Sequence, residues 1–269
     1  MISYLRFQDI SQGLKLDGED SNIKGFSPIT ETKADTISWM RSQNIDFRSV
    51  KSKIVICSVD LEPPKTSKTI FVRVRNPRMV FAMLVRFFES FEIPAKKGIE
   101  ETAIIASSCK LGRDIYIGHY TIIEDNVEVG DGTRIMNHVI VQRDSIIGQN
   151  CVIGNGVVVG VDGFGYEKDE KGYWFKFPQI GNVIIEDNVE ISDYTSIERG
   201  TLTSTIIRKN TKIDQYCQIG HNTDIGENCL ITAMSLVAGK TKIGKNSYIA
   251  PGSLIRNSLE VGESAFIGM

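Results

Sequence analysis

From Ile105 onward, the chain places an aliphatic residue at every sixth position, in three runs: Ile105–Val159, Ile185–Ile197 and Ile207–Ile267. The other positions of each hexad favour Gly, Asn and Asp, followed by a small residue. Gly, Asn and Asp tolerate the left-handed backbone of sharp corners. Each hexad is therefore predicted to be one short strand followed by one corner.

Three such hexads would close one triangular coil, with the aliphatic side chains stacked inside and strands of successive coils paired in parallel. The inward small position holds four of the cysteines: Cys109, Cys151, Cys217 and Cys229. The pattern predicts a mostly β fold, a parallel β-helix over residues 101–269. Residues separated by three hexads should then lie side by side on neighbouring coils.

The repeat is interrupted twice. Residues 165–180 carry no hexad and are rich in aromatic and charged side chains, so we interpret them as an inserted loop or hairpin. A shorter excursion adds four residues between Ile197 and Ile207. Because interruptions of a solenoid usually lie on its binding face, we expect the functional site beside them.

Residues 1–100 lack the repeat and are predicted to form a small α/β domain that resembles nucleotide-binding domains. Short strands are expected at Ile37–Met40, Ile54–Cys57 and Ile70–Val74. A helix should begin at Asn76-Pro77, because Pro suits the first helical turn. We also expect it to cap the first coil. Its packing stripe is predicted to be Val80, Leu84, Phe87, Phe88 and Phe91.

Bulk properties exclude several classes of function. The 269 residues carry a net charge of −2, which gives no reason to expect nucleic acid or an anionic membrane as a partner. The densest apolar stretch, Met79–Phe91, is interrupted by Arg86 and Glu89 and is not expected to span a membrane. The five cysteines include no Cys-x-x-Cys pair, so we expect reduced thiols and a cytoplasmic protein.

Four motifs follow one another along the repeat: Asp162–Tyr166, Pro178–Gly181, Glu198–Gly200 and Gln218–Asn222. In this order, the chain resembles the UDP-3-O-acylglucosamine N-acyltransferase (LpxD-like) family of lipid A biosynthesis. The resemblance implies a left-handed β-helix and the transfer of an acyl group from acyl-CoA or acyl carrier protein to the amine of a nucleotide-linked amino sugar. It also implies a homotrimer, with acyl carriers as co-substrates and no tightly bound cofactor.

Acylation of an amine needs a base for the amine proton and a donor for the oxyanion, and it needs no metal. His221 is the candidate base, and Asn222 could orient its imidazole or bind the sugar. Gly239, three hexads after His221, should lie one coil further on and present its backbone N–H to the oxyanion. The resemblance implies the same role for Gly239.

Other side chains are weaker candidates for binding. Phe164 and Tyr166 are expected to line the acceptor or acyl pocket, with Gln218 nearby. Trp39 and Phe47 are expected to stack on both sides of the nucleotide base. Donor binding is expected along the C-terminal coils, with room for a pantetheine arm and positive charge for phosphates, at Ala238, Lys240, Ala250, Gly252 and Arg256.

Several alternatives stay open. Asn257-Ser258 stands where family members carry a second histidine. This departure leaves room both for the authentic lipid A enzyme, which uses 3-hydroxyacyl carrier protein, and for a relative that serves another cell-surface polysaccharide. A non-catalytic scaffold, a sugar-nucleotide pyrophosphorylase and a zinc carbonic anhydrase are further alternatives. The carbonic anhydrase is disfavoured because three histidines would have to converge on one metal. His119 and His138 are separated by three hexads and one further residue, so they occupy different hexad positions.

Overall fold

The hexads form a three-sided parallel β-solenoid whose aliphatic positions point to its centre. The computed structural model describes residues 23–41, 46–64, 67–92 and 96–269. The chain divides into two compact units at Ala95/Lys96, because Gly98–Ile99 already pairs in parallel with Tyr116–Ile117 of the next coil. The predicted fold class is thereby confirmed.

Each face of the solenoid is one parallel sheet with one strand per coil. Face 1 contains β5 Gly98–Ile99, β8 Tyr116–Ile117, β11 Arg134–Ile135, β14 Val152–Ile153, β19 Glu190–Ile191, β22 Lys212–Ile213, β25 Leu230–Ile231, β28 Tyr248–Ile249 and β31 Phe266–Ile267. Face 2 contains β6 Ile104–Ile105, β9 Ile122–Ile123, β12 Ile140–Val141, β15 Val158–Val161, β20 Ser196–Glu198, β23 Gln218–Ile219, β26 Leu236–Val237 and β29 Leu254–Ile255. Face 3 contains β7 Lys110–Leu111, β10 Glu128–Val129, β13 Ile146–Ile147, β18 Asn182–Ile185, β21 Ser204–Ile207, β24 Asp224–Ile225, β27 Lys242–Ile243 and β30 Glu260–Val261.

The core is a column of β-branched side chains, stacked in register from coil to coil. Ile117, Ile135 and Ile153 on face 1 are at most 1% exposed. Small polar residues fill the inner corners, where the Thr121 hydroxyl donates to Met136 O at 2.6 Å. The polar atoms of these tight corners thus have partners, and the aliphatic column needs no gaps to accommodate them.

The corners use the left-handed backbone that the sequence predicted. Asn126, Asn150 and Asn228 have φ between 53° and 58°. The four coil cysteines lie inside the corners, and burial raises the pKa of the Cys151, Cys217 and Cys229 thiols. These thiols therefore remain protonated and behave as small core residues.

The first interruption is an antiparallel hairpin, formed by β16 Tyr166–Lys168 and β17 Trp174–Lys176. It leaves the solenoid after β15 on face 2 and returns to β18 on face 3. The strands on either side of it keep their pairing, since Ile147 pairs with Ile185 across the insertion. The inserted residues therefore leave the core column unbroken.

The N-terminal unit is a four-stranded parallel sheet in the order β1 Gly25–Phe26, β2 Thr36–Trp39, β3 Ile54–Ser58 and β4 Ile70–Val74. Helix α1, Pro77–Glu92, begins where Asn76 Oδ1 accepts the Met79 N–H at 3.2 Å. A single 3₁₀ turn covers Phe47–Ser49. Three of the strands lie where the sequence predicted them, whereas β1 was not predicted.

Helix α1 packs on the sheet through Leu84 and Phe88, which are 1% and 6% exposed. Phe81 joins this cluster from outside the predicted stripe, whereas Phe87 is 36% exposed. The Phe91 side chain lies outside the described residues, and the capping of the first coil stays a prediction. No helix in the described ranges has the length and apolar character needed to cross a bilayer.

The stacked column predicts where stability resides. Truncating the fully buried Ile135 to Ala should lower the free energy of unfolding by about 2–5 kcal/mol, because the neighbouring coils cannot close the cavity. The matched control is Ile146→Ala, in which the lost side chain points outward and is 38% exposed, and the expected loss is under about 1 kcal/mol. Denaturant titration followed by circular dichroism measures both. Equal losses would contradict an inward column as the source of stability.

Candidate active site

His221 lies at the corner where the chain turns from face 2 to face 3, between β23 and β24. We call the line of corners between these two faces the His221 edge. Both interruptions of the repeat leave the solenoid at the same edge, one after β15 and the other, which adds four residues between Ile197 and Ile207, after β20. The expected coincidence of interruptions and candidate site is therefore present in the fold.

Hydrogen bonds from the four-residue excursion fix the orientation of the Asn222 amide. Thr201 N–H, which can only donate, lies 3.0 Å from Asn222 Oδ1, and the Thr201 hydroxyl donates to the same oxygen at 2.9 Å. On the other side of the amide, Asn222 Nδ2 donates to Thr203 Oγ1 at 2.9 Å. Oδ1 of Asn222 thus faces the His221 ring as an acceptor.

This acceptor determines which nitrogen of His221 carries the proton. Nδ1 lies 3.0 Å from Asn222 Oδ1 and 3.3 Å from Thr201 Oγ1. Because Oδ1 can only accept, Nδ1 must donate, and the neutral ring keeps its lone pair on Nε2. The imidazole is therefore held in the tautomer that a general base acting through Nε2 requires.

Glycines on the neighbouring coils lie against both sides of the imidazole. A Cβ atom on Gly239 would lie 2.7 Å from His221 Nε2, and one on Gly163 would lie 3.0 Å from His221 Cδ2. Any larger residue at Gly239 would displace the ring or block its free nitrogen. The spacing of one coil correctly predicted the contact with Gly239, whereas the contact with Gly163, just before the insertion at residues 165–180, was not predicted.

The backbone N–H of Gly239 is available to a ligand. At the same hexad position, the N–H groups of His119, Arg143 and His221 donate to side-chain oxygens of neighbouring coils, at 2.8, 3.0 and 2.9 Å. Within the part of the chain that the structure describes, the Gly239 N–H donates to no acceptor, as is also the case for Asp125 and Lys245 at this position. What distinguishes Gly239 is its contact with the imidazole, because an N–H there can stabilise a developing oxyanion while Nε2 takes a proton.

Glu198 fixes the backbone of His221 from the coil below. Its Oε2 accepts the His221 N–H at 2.9 Å, and its Oε1 accepts from Gln218 Nε2 at 3.1 Å. Glu198 is 8% exposed, whereas Gln218 is exposed on face 2. Gln218 thus lies at the site as predicted. Glu198 is more buried, and it is the residue that fixes the position of the His221 backbone.

Phe164 and Tyr166 lie at the base of the hairpin, next to Gly163. Their ring centroids are 4.9 Å apart, and Phe164 is 88% exposed. Lys176 forms an ion pair with Asp162, which raises the pKa of the lysine. This ion pair links the second hairpin strand to the segment that leads into the hairpin. The exposed rings follow the Gly163 that lies against the imidazole, and they offer apolar surface to a ligand.

The structure does not bring Trp39 and Phe47 together. Trp39 packs in the cluster on the helix side of the small sheet, 6.3 Å from the Phe81 ring. Phe47 packs in the cluster on the opposite side, 5.7 Å from Phe71. Because alternate residues of a strand point to opposite sides of a sheet, the two rings cannot enclose one base between them. Spacing along the chain could not reveal which side each ring takes.

The candidate donor residues divide between two edges. Ala238, Lys240 and Arg256 lie on the His221 edge, in the two coils above His221. Ala250 and Gly252 lie instead at the corners between faces 1 and 2. The first group therefore adjoins the candidate site directly, whereas the second borders the far side of face 2.

The three histidines of the chain also occupy two different edges, since His119 and His138 lie at corners between faces 1 and 2. The three-histidine arrangement of a zinc carbonic anhydrase is therefore not formed. Among the described residues, no group of three or more His, Cys, Asp or Glu side chains has the geometry to hold a metal ion.

Comparison with known proteins agrees with this fold. The repeat family described as "Bacterial transferase hexapeptide (six repeats)" matches residues 126–160 and 204–239. A UDP-3-O-acylglucosamine N-acyltransferase of Christiangramia forsetii is 37% identical over 246 residues, which is 84% of this chain and 72% of the relative. The enzyme of the same name from Porphyromonas gingivalis is 32% identical over 81% of this chain and 67% of the relative.

Among solved structures, LpxA from Acinetobacter baumannii is similar with a TM-score of 0.53 and 28% sequence identity. The match covers 63% of this chain and 66% of that protein, so the chain spans slightly less than two thirds of its length.

The hydrogen bonds at Asn222 predict the protonation of His221 independently of any reaction. In the Asn222→Ala protein Nδ1–H loses its acceptor at 3.0 Å and retains only the longer contact of 3.3 Å to Thr201 Oγ1, so part of the proton population should move to Nε2. Imidazole ¹⁵N shifts report this directly, and only three histidines need assignment. Asn228→Ala is the control, because Asn228 has the same φ of 58° on another edge. An Nδ1–H tautomer that persists in Asn222→Ala would refute the assignment.

Proposed function

Because the chain belongs to the UDP-3-O-acylglucosamine N-acyltransferase family, we propose that it transfers an acyl group from a thioester carrier to the amine of a nucleotide-linked amino sugar. The observation that carries this proposal is the pairing at the His221 edge. In its neutral form His221 carries its lone pair on Nε2, and Gly239 beside it offers a backbone N–H that has no partner among the described residues. A scaffold would have no need for a base and a donor placed against each other.

The proposed reaction proceeds by direct attack. His221 Nε2 takes a proton from the sugar amine as the amine nitrogen bonds to the thioester carbon. The carbonyl oxygen becomes an oxyanion, which accepts the Gly239 N–H. When the tetrahedral species collapses, the C–S bond breaks and the imidazolium proton passes to the leaving thiolate. Amide and thiol are the products, and the imidazole is neutral again.

The sugar is proposed to bind between the hairpin base and the imidazole. Phe164 and Tyr166 supply apolar surface there, and Gln218 supplies polar atoms on face 2. Asn222 is proposed to orient the imidazole, because both ends of its amide are already used by Thr201, Thr203 and His221. A direct contact from Asn222 to the sugar would need one of these bonds to break.

The N-terminal unit is proposed to hold the nucleotide. An open cavity of about 760 Å³ beside Phe47 is lined by four cationic side chains: Arg48, Lys51, Lys53 and Lys68. Aromatic surface next to positive charge suits a base and its phosphates. Trp39 lies on the other side of the sheet and is not part of this cavity.

The acyl carrier is proposed to lie along the coils above His221. Ala238 leaves space beside Gly239, and Lys240 and Arg256 follow on the same edge with exposed side chains. These charges suit the phosphate of a pantetheine arm, which acyl-CoA and acyl carrier protein share. An assay with both donors distinguishes them, and the authentic lipid A enzyme should prefer 3-hydroxyacyl carrier protein.

A threefold assembly is proposed from the outer surface of face 2. Its outward row is aliphatic in most coils, at Ile104, Ile122, Ile140, Val158, Leu236 and Leu254. The row turns polar at Ser196 and Gln218, in the coils beside His221. Three copies arranged around a threefold axis would cover the apolar part and leave the polar part for substrate.

The reaction is tested by His221→Ala. The variant should lose about 10²–10⁴ in kcat/KM for transfer to UDP-3-O-acylglucosamine, because no other group takes the amine proton. Gly239→Ala should lose activity as well, since its methyl group would clash with Nε2. His119→Ala, on another edge, should keep full activity. Unimpaired transfer by the folded His221→Ala protein would favour the scaffold.

The assembly is tested by sedimentation equilibrium. The wild-type protein should sediment as three copies, and Ile140→Glu should dissociate it, because a charge in the middle of face 2 cannot be desolvated there. Ile146→Glu, a matched change on face 3, should leave the assembly intact. A monomeric wild-type protein would rule out a site shared between copies.

A further inference from the structure

Regular corners of the His221 edge are closed by backbone hydrogen bonds between coils. Asp144 N–H donates to Asp125 O at 3.0 Å, and Lys240 N–H donates to His221 O at 2.8 Å. In each case, the donor follows the acceptor along the chain by three hexads and one further residue. Counted in the same way, the donor for Arg143 O would be the N–H of Asp162. The chain departs from the solenoid at Asp162, so the hairpin breaks this pattern.

Side chains replace the missing donors at this corner. Arg199 Nη2 donates to Arg143 O at 3.1 Å, and Arg199 Nε donates to Gly160 O at 2.7 Å. Asn182 Nδ2 donates to Asp144 O at 2.9 Å. The guanidinium thus supplies the hydrogen bond to Arg143 O that a regular hexad would have made with its backbone, and a second bond to Gly160 O.

This arrangement buries a cation at considerable cost. Arg199 is 0% exposed, and no described carboxylate forms an ion pair with it. Its Nη1 is buried and has no hydrogen-bond partner in the described part of the chain. Burial, and then the charge of Arg143, lower the pKa of the guanidinium, whereas Asp162 and Asp144 partly offset them. An uncompensated buried charge is expensive, so tethering a surface loop is a poor reason to retain it.

Arg199 lies between the segments that hold His221. Glu198 precedes it and accepts the His221 N–H. Thr201 follows two residues later and holds the Asn222 amide. The Arg199 N–H donates to Val161 O at 2.8 Å, two residues before the Gly163 that lies against the imidazole. Arg199 therefore connects the base of the hairpin with the four-residue excursion, through its guanidinium at Gly160 and through its backbone N–H at Val161.

We propose that Arg199 is a positioning residue for His221, acting through the hairpin base and the excursion rather than on the substrate. Its guanidinium sets the distance between Gly163 and the Thr201–Asn222 pair, and thereby the orientation and tautomer of the imidazole. The effect on turnover rests on the proposed function, whereas the effect on the imidazole does not.

The test compares Arg199→Met, which keeps the volume and removes every donor, with Arg199→Lys, which keeps a charge and fewer donors. Arg208→Met is the matched control, because Arg208 also bridges coils, through Asp224 and Glu186, but on face 3. Three readouts are taken: imidazole ¹⁵N shifts of His221, the rate of tryptic cleavage in the hairpin at Lys168 and Lys171, and acyl transfer.

Arg199→Met should lose the single Nδ1–H tautomer and be cleaved faster in the hairpin. Its kcat should fall by about 100-fold, as expected for a misplaced catalytic group, with a smaller change in KM. Arg199→Lys should be intermediate in all three readouts and serves as the test if Arg199→Met does not fold. Arg208→Met should match the wild-type protein.

An unchanged tautomer and unchanged cleavage in folded Arg199→Met or Arg199→Lys would overturn the proposal, whatever the activity. A changed tautomer in a protein that never transfers acyl groups would support the role of Arg199 and refute only the proposed function.

Discussion

Everything in this solenoid depends on parallel pairing of consecutive coils in one register. The aliphatic column fixes that register, because a slip by a single position would turn every inward side chain outward. Register in turn decides which corner residues touch. His221 meets Gly239 because three hexads make one coil. The hairpin leaves the pairing of Ile147 with Ile185 intact, and β15 shifts register against β20 between Val159 and Val161, just before the Gly163 that His221 meets. The geometry of the candidate site is thus inherited from the packing of the core.

The chemistry of the site adds a second layer, in which polar atoms of the excursion restrict the imidazole. Asn222 has a left-handed backbone with φ of 58°, an ordinary corner conformation for Asn. At this corner the side chain of Asn222 also accepts from Thr201 and from His221. Asn suits the left-handed backbone of the corners, and at this corner Asn222 also orients the imidazole. The proposed base needs no carboxylate partner, because the amide determines its tautomer.

The repeat predicted much of the fold and part of the candidate site. The rest could not be predicted, for physical reasons that can be stated. Hexad spacing predicted the fold and the contact between His221 and Gly239, and the interruptions of the repeat indicated where the site lies. It could not place Trp39 and Phe47 on their sides of the small sheet, because the chain between them departs from any period. Arg199 stands out in the sequence only as part of a motif. Nothing in a sequence shows that a guanidinium folds inward to replace lost backbone donors, since arginine at a corner is ordinarily solvated.

The way the hairpin is attached has a consequence for how such proteins diversify. Its junction is closed by Arg199 and Asn182 from the following coil, and none of these described donors belongs to the hairpin strands themselves. The inserted segment can therefore change in length and composition over evolutionary time without any compensating change in the column beneath it. In a solenoid with this junction, hairpins that form different acceptor pockets can replace one another. A designer could graft foreign hairpins at this junction while keeping Arg199 and Asn182.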